Sequence, residues 1–316
     1  MFDIVGKRYW YFAFSALVVI PGLIALVVFG LPLAIDFTGG SLLQLEFEQQ
    51  VDVNTAQIKA IYAKHGSDLT DPLVQTSGDR GVLIRSKEIK DLDGRSALDR
   101  KNAIEADIRE AYGDFTELRF ESVGPSVGAQ VADRAAQAVA LAAFGILLYI
   151  AWAFRHVPNP FRYAVCAIVA MLHDVAVVVG LAAIFGHFLG WEIDALFLTA
   201  LLTVIGFSVH DSIVVFDRIR ENIGRYRGDS FENIVNHSII QTLDRSINTQ
   251  LTVVFTLTAL ALFGGITIRH FVIWLLIGIV SGTYSSIFNA SPLLVAWENG
   301  ELTGWLRRLR EQQVPA

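Results

Sequence analysis

Two aspartates stand inside runs that are otherwise apolar. Residues 199–222 read TALLTVIGFSVHDSIVVFDRIREN, with His210 and Asp211 inside a stretch of membrane-crossing length, and residues 163–191 hold His173 and Asp174 in the same way. An aspartate at the centre of a bilayer costs roughly 2.5–3.5 kcal/mol on insertion scales. Residues of this kind face the interior of a helix bundle and mark ion or proton paths. A low dielectric also disfavours the charged form of a carboxyl, so a buried acid exchanges a proton nearer neutral pH than an exposed one. Proton transfer is therefore the chemistry this pattern points to. Arg245 sits just before a later apolar run, where it could meet Asp211 and hold it ionised until something separates them. An ordinary anchor at the membrane edge is the equal alternative for Arg245, and a structural bond between helices is the alternative for each acid. Adjacent residues on a helix point about 100° apart, so His173 and His210 are expected to bond structurally rather than relay protons with their own aspartates.

The elements that must position these groups follow from hydropathy. The chain has 316 residues, 53% of them apolar, and six runs are long enough for a bilayer that needs roughly 20 residues. They are residues 9–35, 135–154, 163–191, 195–216, 247–268 and 271–297. The expected fold is a polytopic α-helical membrane protein of six transmembrane helices. The uncharged stretch 9–35 is longer than the apolar core of a cleavable signal peptide, about 7–15 residues, and reads as a retained first helix. Lys7, Arg8, Arg155, Arg162, a cluster from Arg218 to Arg227, Arg245, Arg307, Arg308 and Arg310 fall on one set of helix ends, against Arg269 and the acidic WEID at 191–194 on the other. The positive-inside rule then places both termini in the cytoplasm and residues 36–134 outside. With 1.5 Å of rise per residue, Asp174 lies about 17 Å in from the cytoplasmic edge and Asp211 about 9 Å.

Residues 36–134 read as a small water-soluble α+β domain. Leu43, Leu45 and Phe47 alternate with polar residues as in a half-buried strand. Asn54 or Thr55 caps a helix that turns Ile58, Ile61 and Tyr62 inward. Two strands follow around a Ser-Gly-Asp-Arg-Gly turn, then a helix capped by Ser96 with Ile104, Ile108 and Ala111 inward. A last strand puts Leu118 and Phe120 on one side. The order β-α-β-β-α-β is that of a ferredoxin-like unit. Gly39 and Gly40 mark the chain's entry to this domain, and VGPSVG at 123–128, with Gly124, Pro125 and Gly128, marks its exit as a connection or hinge. Residues 1–35 form the amino-terminal segment and first helix, 135–297 the remaining five helices, and 298–316 a cytoplasmic tail. Near 229–244 an amphipathic segment, capped by Asp229 or Ser230, either lies on the membrane surface or packs under the bundle. Gly180, Gly186, Gly206, Ser208, Gly278, Ser281, Gly282, Ser285 and Ser286 allow close approach of helices.

Several functions are disfavoured. The single Cys166 excludes a disulfide framework within the chain, and neither a metal site nor a cofactor is expected. No G-x-x-x-x-G-K-[ST], H-E-x-x-H or G-x-S-x-G occurs, which argues against P-loop nucleotide binding, zinc proteolysis and serine hydrolysis. No nucleic-acid partner is expected, and the chain is read as a non-enzyme. Three readings remain: a proton-driven membrane machine, a structural membrane scaffold, and an intramembrane aspartyl protease. The third is disfavoured because His precedes both acids and no glycine stands two before Asp211.

IDFTGGS at 35–41, VGPSVG, the LHD of the third run, GFSVHDSIVVFDRIREN at 206–222, LDRSINTQLT at 243–252 and LFGG at 262–265 resemble the SecF family of bacterial protein-export translocase subunits. The resemblance runs nearly end to end. It implies a half-transporter of the resistance-nodulation-division type in the bacterial inner membrane, whose six helices pair with six from SecD. It also implies coupling of the proton-motive force to late steps of preprotein export with the SecYEG channel, the external domain acting on the unfolded polypeptide. By motif, the family's proton-path acid falls on Asp211 and its membrane arginine on Arg245, while Asp174 matches the HD element. The family commonly has Asn where this chain has His210, a second titratable group on the path.

Overall fold

A computed structural model describes residues 2–301, except 79 and 93; the tail's Arg307, Arg308 and Arg310 lie outside the described residues. The chain divides into two compact units, residues 1–32 with 137–316 and residues 33–136.

The first unit is helical. Its long helices are α1 (Arg8–Phe29), α5 (Pro125–Ala153, whose start belongs to the second unit), α6 (Pro160–Leu189), α7 (Ala195–Arg225), α8 (Phe231–Phe263) and α9 (Ile266–Ser285). A π-helical turn at Ser286–Ala290 joins α9 to the short α10 (Ser291–Glu298). Among the described residues six helices, counting α9 and α10 as one, are long and apolar enough to cross a membrane. Their ends depart from the hydropathy runs. The first helix stops at Phe29, where Gly30 closes it with a positive φ. α7 continues to Arg225, well past the last apolar residue of its run. The amphipathic segment near 229–244 is not a separate helix. It is the first half of α8, capped by Ser230, whose Oγ accepts from the Asn233 amide at 3.3 Å. Ile234, Ser238, Thr242, Ser246 and Gln250 recur every fourth residue and are all buried, so one face of α8 stays against its neighbours from its start to Gln250. The buried face of this half packs against α7. The chain's start is tied here too: the Asn236 side chain accepts from the amides of Ile4 and Val5, and Arg8 bridges Glu232 at 2.9 Å and Glu301 at 2.5 Å.

Small residues set the closest helix contacts. A Cβ placed on Gly180 of α6 would lie 2.6 Å from the Cα of Gly22 in α1, and one on Gly278 of α9 would overlap the Val204 side chain of α7. These approaches need glycine.

The second unit contains the short α2 (Ile35–Thr38), β1 (Gly40–Phe47), α3 (Thr55–Lys64), β2 (Leu73–Ser77), β3 (Gly81–Ser86), α4 (Ala97–Tyr112) and β4 (Phe115–Val123). The four strands form one antiparallel sheet in the order β2-β3-β1-β4. Leu43, Leu45 and Phe47 face Ile58, Ile61 and Tyr62 of α3 and Ile104 and Ile108 of α4 in a single core. Asn54 caps α3, and Ser96 with Asp99 makes a capping box on α4. Two inward assignments are corrected. Ala111 is exposed, while Phe115 closes the core in its place. Leu118 is exposed because the register shifts there: Gln44 pairs with Arg119 but Leu45 pairs with Glu117. One residue of β4 is bulged out, which reverses the alternation. Glu117 is thereby brought to Lys101 of α4.

Gly39 and Gly40 have φ of +74° and +133°. A Cβ on Gly39 would meet the Cα of Pro125 at 2.6 Å, and one on Gly128 would meet the Gly39 nitrogen at 2.8 Å. The chain's entry and exit, read separately from the sequence, lie backbone against backbone.

Candidate functional site

Asp174 and Asp211 are both buried in the helical unit, 0% and 3% exposed, but in different surroundings. Asp174 sits on α6 where α7 and α9 come together. Its Oδ2 accepts from Ser208 of α7 and Ser285 of α9, each at 2.6 Å. Its Oδ1 lies 2.6 Å from the Ser281 hydroxyl of α9 and 3.0 Å from Nδ1 of His173. Ser281 and Ser285 share a face because residues four apart on a helix stack. Gly282 between them lets α9 come close, since a Cβ there would lie 3.3 Å from the Cα of Ser208. His173 makes its hydrogen bond to the adjacent aspartate. The backbone vectors diverge, but the imidazole bends back far enough for Nδ1 to reach the adjacent carboxylate.

Asp211 lies on α7 and faces α8. Its Oδ2 accepts a hydrogen bond from the side-chain amide of Gln250. Arg245 does not reach it: Arg245 is exposed. Helical phase explains this. With Ser246 and Gln250 turned toward α7, a residue five positions before Gln250 is rotated by about 140°, at 100° per residue. Among the described residues neither acid is paired with a lysine or arginine. His210, next to Asp211, is exposed, about 100° around α7 from it.

Toward the Arg225 end of α7 the contact with α8 stays polar. The Asn222 amide donates to Ser238 at 2.8 Å and to Gln241 at 3.0 Å, and Arg218 Nε donates to the same Gln241 oxygen at 2.5 Å. Near the middle of the first and sixth helices, Ser15 of α1 and Asn289 of the π-turn bond each other. Gln250, Ser208, Ser281 and Ser285 hold the two acids, and sequence reasoning had counted the serines only as small packing residues. The regular spacing of Ser246 and Gln250 within LDRSINTQLT was the available signal for a polar face.

The arrangement cannot do aspartyl-protease chemistry. That mechanism needs two carboxyls sharing one proton, whereas these two are on different helices and held by separate sets of partners, Ser208, Ser281, Ser285 and His173 for Asp174 and Gln250 for Asp211. No cluster of three or more metal-ligating His, Cys, Asp or Glu side chains occurs among the described residues. What the geometry offers is one acid fixed by several donors and a second held by a single neutral amide.

Comparison with known proteins gives this site a context. Residues 103–300 match the family model described as protein export membrane protein SecD/SecF, C-terminal, and residues 24–51 match the SecD/SecF GG motif. The chain is 54% identical over 310 residues to the protein translocase subunit SecF of Anaerolinea thermophila, covering 98% of each. It is 33% identical to the protein translocase subunit SecDF of Bacillus subtilis, covering 95% of this chain and 38% of that protein. Among solved structures, the crystal structure of SecDF, a translocon-associated membrane protein from Thermus thermophilus, superposes with a TM-score of 0.80 at 32% identity, covering 94% of this chain and 39% of that one. The chain thus spans about two fifths of the fused relatives and nearly all of the separate ones. These relatives are named as translocase subunits, not as enzymes.

Proposed function

Because this chain belongs to the SecD/SecF family of protein-export membrane proteins, we propose that it is an accessory subunit of the export translocase that couples the proton-motive force to late-stage movement and release of preproteins. It pairs with SecD, as the fused relative's name and span support, and works beside the SecYEG channel on an unfolded preprotein. Both termini face the cytoplasm of a bacterial inner membrane, and residues 36–134 lie outside. The strand order β2-β3-β1-β4 within a β-α-β-β-α-β chain supports a ferredoxin-like reading of that domain.

The observation that carries the coupling is Asp211: buried between helices, with one neutral hydrogen-bond partner and no lysine or arginine paired to it among the described residues. An acid in that setting is free to take up and release a proton without breaking an ion pair. Arg245 and His210, exposed on their helices, contribute to the path from the side that a partner's helices would cover. Asp174, with four neighbours in hydrogen-bond range, fits the packing role weighed for it above. Protonation at α7 changes its hold on α8, and the change reaches the external domain through the Gly124-Pro125 connection. A charge moved across the membrane potential supplies roughly 2.3 kcal/mol per 100 mV.

The test uses inverted membrane vesicles with this chain, SecD and the export channel, following late-stage translocation with and without a proton gradient. Asp211→Asn is expected to abolish the gradient's stimulation while the complex remains assembled. Full stimulation in that variant would remove the coupling reading and leave the structural scaffold in its place.

A further inference from the structure

Gln250 is 5% exposed, and its two polar atoms are unequally used. Nε2 donates to Asp211 Oδ2, while Oε1 is buried with no hydrogen-bond partner among the described residues. A buried acceptor left unpaired costs free energy, so the orphan oxygen calls for an explanation. The inventory of donors supplies one. An ionised carboxylate only accepts, and so can satisfy only the amide's N–H. A protonated carboxyl both donates and accepts. It is complementary to a primary amide at two points, its O–H reaching the amide oxygen while its carbonyl oxygen takes the amide N–H.

We infer that Gln250 is the residue that reads the protonation state of Asp211, joining α7 to α8 by one hydrogen bond when the acid is ionised and by two when it carries a proton. The balance is simple. One proton adds to an Asp211 oxygen, the new O–H donates to Gln250 Oε1, and Nε2 donates to the other carboxyl oxygen. No covalent bond other than O–H forms or breaks. The orphan acceptor in the structure is then the vacant half of a two-point contact. Gln250 is a positioning residue: it acts through Asp211 by making the grip between α7 and α8 depend on the proton. Ser246, one turn earlier on the same buried face, makes no hydrogen bond to Asp211 among the described residues; it serves as the control. This inference rests on Asp211 being the coupling acid, and the experiment separates the two.

The complex of this chain with SecD is purified, and infrared difference spectra are recorded through a pH titration. The carbonyl stretch of protonated Asp211 is assigned by its loss in Asp211→Asn. Gln250→Leu, close in volume, is expected to move that band to the frequency of a singly bonded or free carboxyl and to change the pH profile of gradient-driven translocation. Stimulation falls by about tenfold, the size of effect that losing one neutral hydrogen bond can have. Ser246→Ala leaves band and profile unchanged. Gln250→Glu keeps the side chain's size if leucine prevents assembly; it replaces the amide by a second acid and is expected to broaden the band and shift the profile. An Asp211 band and pH profile unchanged in both Gln250 variants would overturn the inference. If instead the band moves in the Gln250 variants but Asp211→Asn keeps full stimulation, the contact stands and the coupling reading falls.

Discussion

Asp174 and Asp211 lie in the same helical unit and are equally well hidden from solvent, yet they are held in opposite ways. Around Asp174 three hydroxyls and an imidazole converge from α6, α7 and α9. Around Asp211 there is one amide, and that amide is itself half used. Burial therefore does not by itself distinguish the two acids. The number and kind of donors does. Many donors fix a carboxylate's position, whereas a single neutral donor leaves it fewer constraints.

The widest gap between the two sites is expected in stability. Asp174→Ala leaves several buried donors without an acceptor and should cost about 3–5 kcal/mol, read as a fall in the unfolding temperature of the purified protein. Asp211→Asn keeps an oxygen for the Gln250 amide and should change stability by less than about 1 kcal/mol. Equal losses in the two variants would erase the distinction. A second variant attacks the nest without touching its acid. Gly282→Val pushes α9 away from Ser208 and should cost about 1–3 kcal/mol by overpacking. It should weaken Asp174's bonds to Ser281 and Ser285 while leaving the pH profile of Asp211-dependent translocation in place. A shifted profile would mean that the two sites are one.

The smallest effect comes from carboxyls of the sheet unit, which sharpen the comparison by having a cation. In the sheet unit Lys101 lies 3.0 Å from Glu105 and also bonds Glu117. The hydrogen bond from Lys101 holds Glu117 below the ordinary carboxylate value of 4.5. Its contribution to stability is complete above that pH and is lost as pH falls through the lower folded value. Burial raises Glu105, so the fold favours its protonated form and that contribution fades as pH rises. Glu117→Gln should therefore flatten the acid-side loss of hydrogen-exchange protection in β4 of the intact chain, by less than about 1 kcal/mol. Glu105→Gln should not. Identical slopes in both variants would contradict these opposite signs.

How much of this was legible beforehand depends on the range of the force involved. Six helices were readable because lipid selects apolar runs, and the antiparallel sheet because its strands alternate. Helix ends were not, since α7 and α8 continue on their own backbone hydrogen bonds where hydropathy has already dropped, at Asp217–Arg225 and Phe231–Ser246. That Asp174 and Asp211 would be buried was also readable: an acid in an apolar run has nowhere cheaper to go than the interior. Their partners were hidden. Arg245 drew attention because it is charged, while Gln250 decides the contact because helical phase turns it, and not Arg245, toward α7. Serines that looked like spacers turned out to be donors, which only the meeting of three helices reveals. The bulge at Leu118 likewise depends on pairing between distant strands.

One feature of the sheet unit bears on how such a chain can be altered. Gly39 and the Gly124–Gly128 segment touch through their backbones, so everything between them leaves and returns at nearly the same point. To the rest of the polypeptide such an excursion is equivalent to a short loop, because the closure entropy is set where the ends meet and grows only slowly with what is enclosed. The module behaves as a cassette. Its interior can lengthen, shrink or be exchanged for another folded unit with closely spaced ends, provided the glycines that let the two strands of backbone touch are kept.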